Sequence, residues 1–437
     1  MEEERSSIRS IRGEGVGLRS SDTLAIFLAF CVASSGLGNA LVDRAKTNFN
    51  VVNFGAIGDG RSDDTDAFIR AWQAVCGCTG GGGTPTLIVP QGKTFLLQSV
   101  RFQGPCESTS VHVQVLGSLL APNTLDAWRN YKGDSWLSFS KVGNLIIDGN
   151  GLINGRGSFW WRNEANHINE RIFRKFYIIT YMLQALRFHR CNNLQLSGLN
   201  HLDSPKNHIS INGCNGATIS NLHIMAPENS PNTDGIDISS SSHVNIQDCI
   251  IKTGDDCIAL NNGTSFINIT RVACGPGHGI SVGSLGKNGA FDKVEEVHVL
   301  NCSFTGTQNG ARIKTWQGGS GFARKITFEQ ITLSASENPI IIDQYYCNGG
   351  HNCPPARKPG VQISDVTFSD VRGTSASKQA ISLNCDKKAG CTNIILNQIN
   401  ITSSIPGEQL VAACINANGS AFAATPSVPC LSKLFTN

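Results

Sequence analysis

Four short polar clusters recur between Asn232 and Lys314, and their spacing restricts the fold more than any other feature of the chain. They are Asn232-Thr233-Asp234, Gly254-Asp255-Asp256, Gly277-His278-Gly279 and Arg312-Ile313-Lys314. Asp255 follows Asp234 by 21 residues, His278 follows Asp256 by 22, and Arg312 follows His278 by 34. Apolar residues alternate beside the clusters, as in Gly235-Ile236-Asp237-Ile238, Cys257-Ile258-Ala259-Leu260 and Ile280-Ser281-Val282. That two-residue period is the mark of a strand with one buried face. A unit of about 20 to 35 residues built from short strands and turns suits a solenoid, in which each coil stacks on the last. Equivalent places on neighbouring parallel strands lie about 4.8 Å apart, so residues far apart in sequence can share one groove. Asp234, Asp255, Asp256, His278, Arg312 and Lys314 are therefore expected to form a single column on one face.

The same grammar continues through Leu145-Ile146-Ile147, Leu194-Gln195-Leu196, Val244-Asn245-Ile246, Val297-His298-Val299, Ile340-Ile341-Ile342 and Ile394-Ile395-Leu396, with Asn, Gly, Ser and Asp between the strands. An all-β parallel β-helix filled by stacked aliphatic side chains fits this pattern. A β-sandwich would need two-residue hairpin turns, and few are found. Even distribution of the repeat argues for one elongated domain over residues 49–430, although length alone would suggest about three domains. Asp63, Asp64, Thr65 and Asp66 precede Ala67, Phe68, Ala71, Trp72 and Val75 at helical spacing, which predicts a helix over 63–76. The acidic residues read as its N-cap and first turn rather than as catalysts. Such a helix would close the apolar end of the solenoid and cover its strand edges. Arg171 to Leu183 breaks the pattern: it has no turn residue and dense aromatic content. Strand, buried helix and insertion all fit this atypical segment.

Net charge is only +3, and no Lys/Arg run is interleaved with aromatics, which excludes the usual nucleic-acid footprint. Residues 1–40 read as a leader whose apolar core, 24–33, has the length of a secretory signal and is short for a membrane span. Cleavage between Ser34 and Ala40 is favoured over an uncleaved anchor, so no stable membrane contact is expected afterwards. Of 16 cysteines, Cys31 lies in the leader; the odd remainder leaves at least one thiol free or unmatched. Cys347 with Cys353, Cys385 with Cys391 and Cys414 with Cys430 are spaced to close local loops. Five Asn-x-Ser/Thr sequons, at Asn262, Asn268, Asn301, Asn400 and Asn418, agree with a secreted, glycosylated, disulfide-bonded monomer of the cell exterior or cell wall.

Three carboxylates on adjoining coils can divide labour, one keeping its proton while others stay ionised and orient a water. Glycosidic hydrolysis needs that division. His278, flanked by glycines, is placed to tune the acid's proton. Arg312 and Lys314 are alternate residues of one strand, project to the same face and suit an anionic substrate. Against this, Asp, Asn and Gly are ordinary turn residues, and a lone histidine is commonly just a hydrogen-bonded surface group. What favours chemistry is the coincidence of acids, imidazole and cations at successive coil spacings.

Ser230-Pro231-Asn232-Thr233-Asp234-Gly235, Thr253-Gly254-Asp255-Asp256-Cys257, Cys274-Gly275-Pro276-Gly277-His278-Gly279 and Arg312-Ile313-Lys314-Thr315-Trp316 resemble, in order, the four signature motifs of glycoside hydrolase family 28, the polygalacturonases, especially those of plants. The likeness extends from about Phe49 to the C-terminal cysteines. It implies a right-handed parallel β-helix and inverting hydrolysis of pectin, without metal or cofactor. Asp255 would be the general acid, Asp234 and Asp256 would hold the water as base, and His278 would assist. Arg312 and Lys314 would bind galacturonate carboxylates; Asn232 and Tyr346 would contact the substrate. The family usually has a short proline-containing stretch where this chain carries Arg171 to Leu183. Exo-acting or substituted-galacturonan pectinases, and an inactive pectin-binding β-helix, are the alternatives; a β-eliminating lyase fits the paired acids less well.

Overall fold

The computed structural model describes residues 47–79, 83–128, 133–165, 183–347 and 358–431. The predicted leader, the segment from Arg171 as far as residue 182, and Cys353 lie outside them. From Thr47 onward the chain forms one compact unit.

The strands stack in parallel, coil upon coil, in three ladders. The first runs from Asn48–Asn50 to Ala417–Thr425, the second from Asp59–Asp63 to Ser303–Thr305, and the third from Val100–Gln103 to Val411–Ile415. The first two merge where the long strand Ser320–Ser336 pairs with both Phe291–Leu300 and Ser303–Thr305. This is the expected parallel β-helix. Alternation explains it: Leu196, Ile219, Ile246, Ile269, Val299 and Phe328 occupy one register row and are all buried. Burying such a side chain contributes about 1.5–3 kcal/mol, and a one-residue slip would turn the whole row to solvent. In the third ladder Phe102, Phe139 and Phe188 form a second row whose rings stack at 4.6 and 5.7 Å.

The predicted helix, here α1, spans Thr65–Cys76. It buries Ala67, Phe68, Ala71, Trp72 and Val75, with Phe68 edge-on to Phe95 and Trp72 to Phe102. The capping assignment needs correction at Asp64. Its carboxylate makes no bond to the first turn; it turns back and accepts from the backbone N–H of Ile57 at 2.6 Å and Gly58 at 3.1 Å. Asp64 is buried against that loop, whose donors would otherwise go unpaired. Asp63 instead accepts from the Thr65 N–H at 3.0 Å.

Disulfides join Cys385 to Cys391 and Cys414 to Cys430 as expected. Cys347 is bonded too. Two further bridges occur at spacings that sequence alone did not single out: Cys76–Cys106 ties the end of α1 to the loop after Val100–Gln103, and Cys257–Cys274 links neighbouring coils. Cys78, Cys191, Cys214, Cys249 and Cys302 are free and buried.

Candidate active site

The third ladder builds the site. Ile209, Ile236, Ile258, Ile280 and Ala311 face inward in one register row. Two residues before each stand Asn207, Asp234, Asp256, His278 and Asn309. One residue after each, on the outward side of the pleat, stand Ser210, Asp237, Ala259, Ser281 and Arg312. The expected single column is therefore two neighbouring rows. Asp234, Asp256 and His278 belong to one, with Asp255 beside it, whereas Arg312 and Lys314 reach across from the strand Asn309–Trp316.

Asp256 is where the rows meet. Its Oδ1 accepts from the Ser281 hydroxyl at 2.8 Å and from Arg312 Nη2, and its Oδ2 accepts from Lys314 Nζ at 2.7 Å. Arg312 Nε also donates to Ser281 Oγ at 2.8 Å. All four side chains are buried. Burial by itself would raise the Asp256 pKa, but Arg312, Lys314 and Ser281 outweigh it and hold the group down at about 2. The two cations are thus committed to a carboxylate in the free protein.

Asp255 accepts at Oδ1 from His278 Nδ1 at 2.9 Å and from the Asp256 N–H at 2.8 Å. The His278 N–H donates to the Asp255 carbonyl at 2.8 Å, so backbone and imidazole grip the same residue. Glycines make this approach feasible. A Cβ on Gly279, whose φ is +82°, would lie 2.2 Å from the Asn309 carbonyl, and one on Gly254 would lie 2.1 Å from that of Ser230. Thr233 Oγ1 accepts from the Gly254 N–H at 3.0 Å and shares a 2.6 Å hydrogen bond with Ser230 Oγ, tying the Asp234 loop to the Asp255 loop. The Cys257–Cys274 bridge fastens the residue after Asp256 to the segment that leads into His278.

Asp234 is half-buried. Burial first, then Asp237, Asp255 and Asp256, push its pKa well above the carboxylate range, with Lys314 opposing. Beneath it, His208 donates its backbone N–H to the Asp234 carbonyl at 2.8 Å, and its imidazole spans the Ser204 N–H at 3.3 Å and that same carbonyl at 3.2 Å. Burial lowers the His208 pKa to about 4, so a neutral ring braces this turn. Tyr346 pairs in register with Trp316, meets it edge-on at 5.4 Å, and lies under Lys314 Nζ at 5.2 Å. Asn232 is exposed at the turn entering Asp234. Ligand atoms of Asp255, Asp256 and His278 fall within 4.8 Å of one another; Arg312 and Lys314 already supply the positive charge that keeps Asp256 ionised there.

Comparison with known proteins settles the lineage of this arrangement. Residues 78–425 match the pattern of the Glycosyl hydrolases family 28. The chain belongs to that family. Relatives of this family 28 member include a protein from Arabidopsis thaliana named as a probable polygalacturonase, 51% identical over 388 residues, 87% of this chain and 80% of the relative. A polygalacturonase from Malus domestica is 41% identical over 82% of this chain and 75% of its own length. Among solved structures, the endo-xylogalacturonan hydrolase from Aspergillus tubingensis superposes with a TM-score of 0.71 at 24% identity, covering 85% of this chain and 96% of that one. At that identity the likeness speaks for the fold.

Sequence reasoning passed over Ser281, His208 and Asp237. The signal for Ser281 and Asp237 was present in the strand alternation, which places them in the same outward row as Arg312. His208 carried none, because a histidine under a turn looks like any core residue.

Proposed function

We propose that the protein is a polygalacturonase that hydrolyses α-1,4-galacturonosyl linkages of pectin. The observation that carries this reading is the hydrogen-bonded and ion-paired cluster of Asp255, Asp256, His278, Arg312 and Lys314, with Asp234 on the adjoining coil, along one ladder of a family 28 β-helix. Asp255 protonates the glycosidic oxygen, and its hydrogen bond to His278 orients the proton. A water held between Asp256 and Asp234 attacks C1 from the opposite face and gives its proton to Asp256. The C1–O bond breaks, leaving a new reducing end and a free hydroxyl. Ionised Asp256 supplies the charge at the water; Asp234, whose pKa is raised, shares in holding it. Arg312 and Lys314 turn from Asp256 toward the carboxylate of the bound galacturonate, with Tyr346 and Asn232 flanking the sugar.

Inversion is the stereochemical course of this scheme. Carboxylates about 5 Å apart are ordinarily linked to retention, and the Asp255–Asp256 spacing is short. The reading of inversion rests instead on Asp234, which provides on the adjoining coil the second carboxyl needed to hold a water against Asp256.

The enzyme acts outside the cell as a monomer on homogalacturonan. Supporting this are the leader pattern, the disulfides and the exposure of all five sequon asparagines. No helix among the described residues is long and apolar enough to cross a membrane. The test is reducing-end release from de-esterified polygalacturonate by the secreted protein and by Asp255→Asn. Release by the parent and its loss in the variant are expected, and product lengths then separate endo from exo attack. No release from a folded parent would overturn the reading in favour of a binding role or another galacturonan.

A further inference from the structure

Of the five exposed sequon asparagines, Asn268 alone has an aromatic residue two positions before it. Phe266, Asn268 and Thr270 are alternate residues of the first-ladder strand Thr264–Thr270, so all three point outward while Ile267 and Ile269 are buried. Before the other four stand Leu260, Val299, Gln398 and Asn416, and of these Leu260 and Val299 turn into the core. The Phe266 ring is also held in place. Its φ is +56°, a left-handed turn shared by His243 and Glu296 at the same position of the adjoining coils, yet unusual for so bulky a residue. The ring stacks on His243 at 4.8 Å and 16°, and His243 Nδ1 donates to Asn215 Oδ1 at 3.2 Å. One face of the ring is thereby covered, and Phe266 remains 48% exposed. Asn268 Nδ2 donates to Asn245 Oδ1 at 2.9 Å. An N-glycosidic bond replaces only one of the two Nδ2 hydrogens, so this contact survives modification.

We propose that Asn268 carries an N-linked glycan whose first N-acetylglucosamine lies against the exposed side of Phe266. Transfer from a lipid-diphosphate-linked oligosaccharide forms the Nδ2–C1 bond and breaks the C1–O bond to the diphosphate. The diphosphate leaves with the electron pair, and Nδ2 gives up one proton. A β-linked sugar presents the C–H bonds of C1, C3 and C5 on one face, and these partly positive hydrogens suit the negative face of an aromatic ring. Residues two apart on a strand lie about 7 Å from each other, a span that the asparagine side chain and one pyranose ring can bridge. The contact also takes apolar surface out of water. The idea rests on the reading that the chain is exported, because such glycans are added on the secretory route. It concerns the first ladder, away from the groups assigned to hydrolysis.

The experiment maps the secreted parent and Phe266→Ala by glycopeptide mass spectrometry, then treats both folded proteins with peptide N-glycosidase. Asn268 is expected to be occupied in the parent. Its glycan should be released about fivefold more slowly from the parent than from Phe266→Ala, the factor expected of one aromatic contact. Release at the other occupied sequons should run at the same rate in both. Trimming the glycan to a single isotope-labelled N-acetylglucosamine gives a second readout by NMR. Its ring protons should be shifted upfield by the Phe266 ring current in the parent and not in the variant. Phe266→Leu, which keeps apolar bulk without a ring face, covers an alanine chain that is not secreted. Equal release from parent and variant, or unshifted sugar protons in the parent, would overturn the proposal. A bare Asn268 beside occupied sequons elsewhere sinks this proposal alone; a secreted parent bare at all five sinks the glycoprotein reading with it.

Discussion

Lys314 Nζ donates to Asp256 Oδ2 at 2.7 Å across 58 residues of sequence. The solenoid makes this contact local, since only the strand Ile280–Leu285 stands between the two coils concerned. With Arg312 on the other oxygen, a buried carboxylate is held ionised by two cations that an anionic substrate can recruit. On the proposed reading, stability and function draw on the same charges.

Replacing Lys314 with Met leaves Asp256 partly uncompensated. Urea unfolding should report a loss of up to about 3 kcal/mol, and turnover of polygalacturonate should fall about 100-fold. Exposed Lys252 is the control, where the same change should alter neither. A Lys314→Met enzyme with parental stability and turnover would separate the ion pair from both roles.

Stability should depend on pH in two opposing ways. The depressed pKa of Asp256 contributes stability that is present above the ordinary carboxylate value of 3.8 and lost as pH falls toward about 2. The raised pKa of Asp237 contributes stability that is present below 3.8 and lost as pH rises through about 7; Asp234 acts in the same direction. Thermal unfolding should therefore show a higher Tm at about pH 5 than at about pH 8, with the difference reduced in Asp237→Asn. A Tm that climbs steadily across this interval would contradict the assignment.

The Cys257–Cys274 bridge closes a 17-residue separation between the acid coil and the histidine coil. Converting both residues to alanine should cost about 3 kcal/mol and lower kcat more than KM, because Asp256 and His278 lose a common tether. Removing Cys385–Cys391, whose separation is 6 and which lies on later coils, should cost less and leave kcat near the parental value. Equal kinetic effects from the two bridges would remove any special link to the site.

Much of this was legible in the sequence because the β-helix is a repeat fold. Alternating aliphatics such as Ile236 and Ile238 dictate which side chains are inside, and coil spacing dictates that Asp234, Asp256 and His278 become neighbours. What the spacing could not supply was the offset between rows. Arg312 and Lys314 sit one and three residues after the inward Ala311, whereas the acids sit two before Ile236 and Ile258, so their meeting depends on side chains reaching across the pleat. Nor could it show that the cations bind Asp256 before any substrate arrives. Asp64 misled for a related reason: an acid before a helix is ordinarily its cap, yet burial against the loop at Ile57 and Gly58 gave it stronger donors.

The most direct test of the central claim is the anomeric form of the first product. Proton NMR during the opening moments of polygalacturonate cleavage, before mutarotation, distinguishes a water delivered by Asp256 and Asp234 from a covalent intermediate on Asp256. The account predicts the β-anomer at the new reducing end, the outcome of a single inversion at an α-linkage. Initial release of the α-anomer would contradict it, and would make the short Asp255–Asp256 spacing the signature of a retaining enzyme.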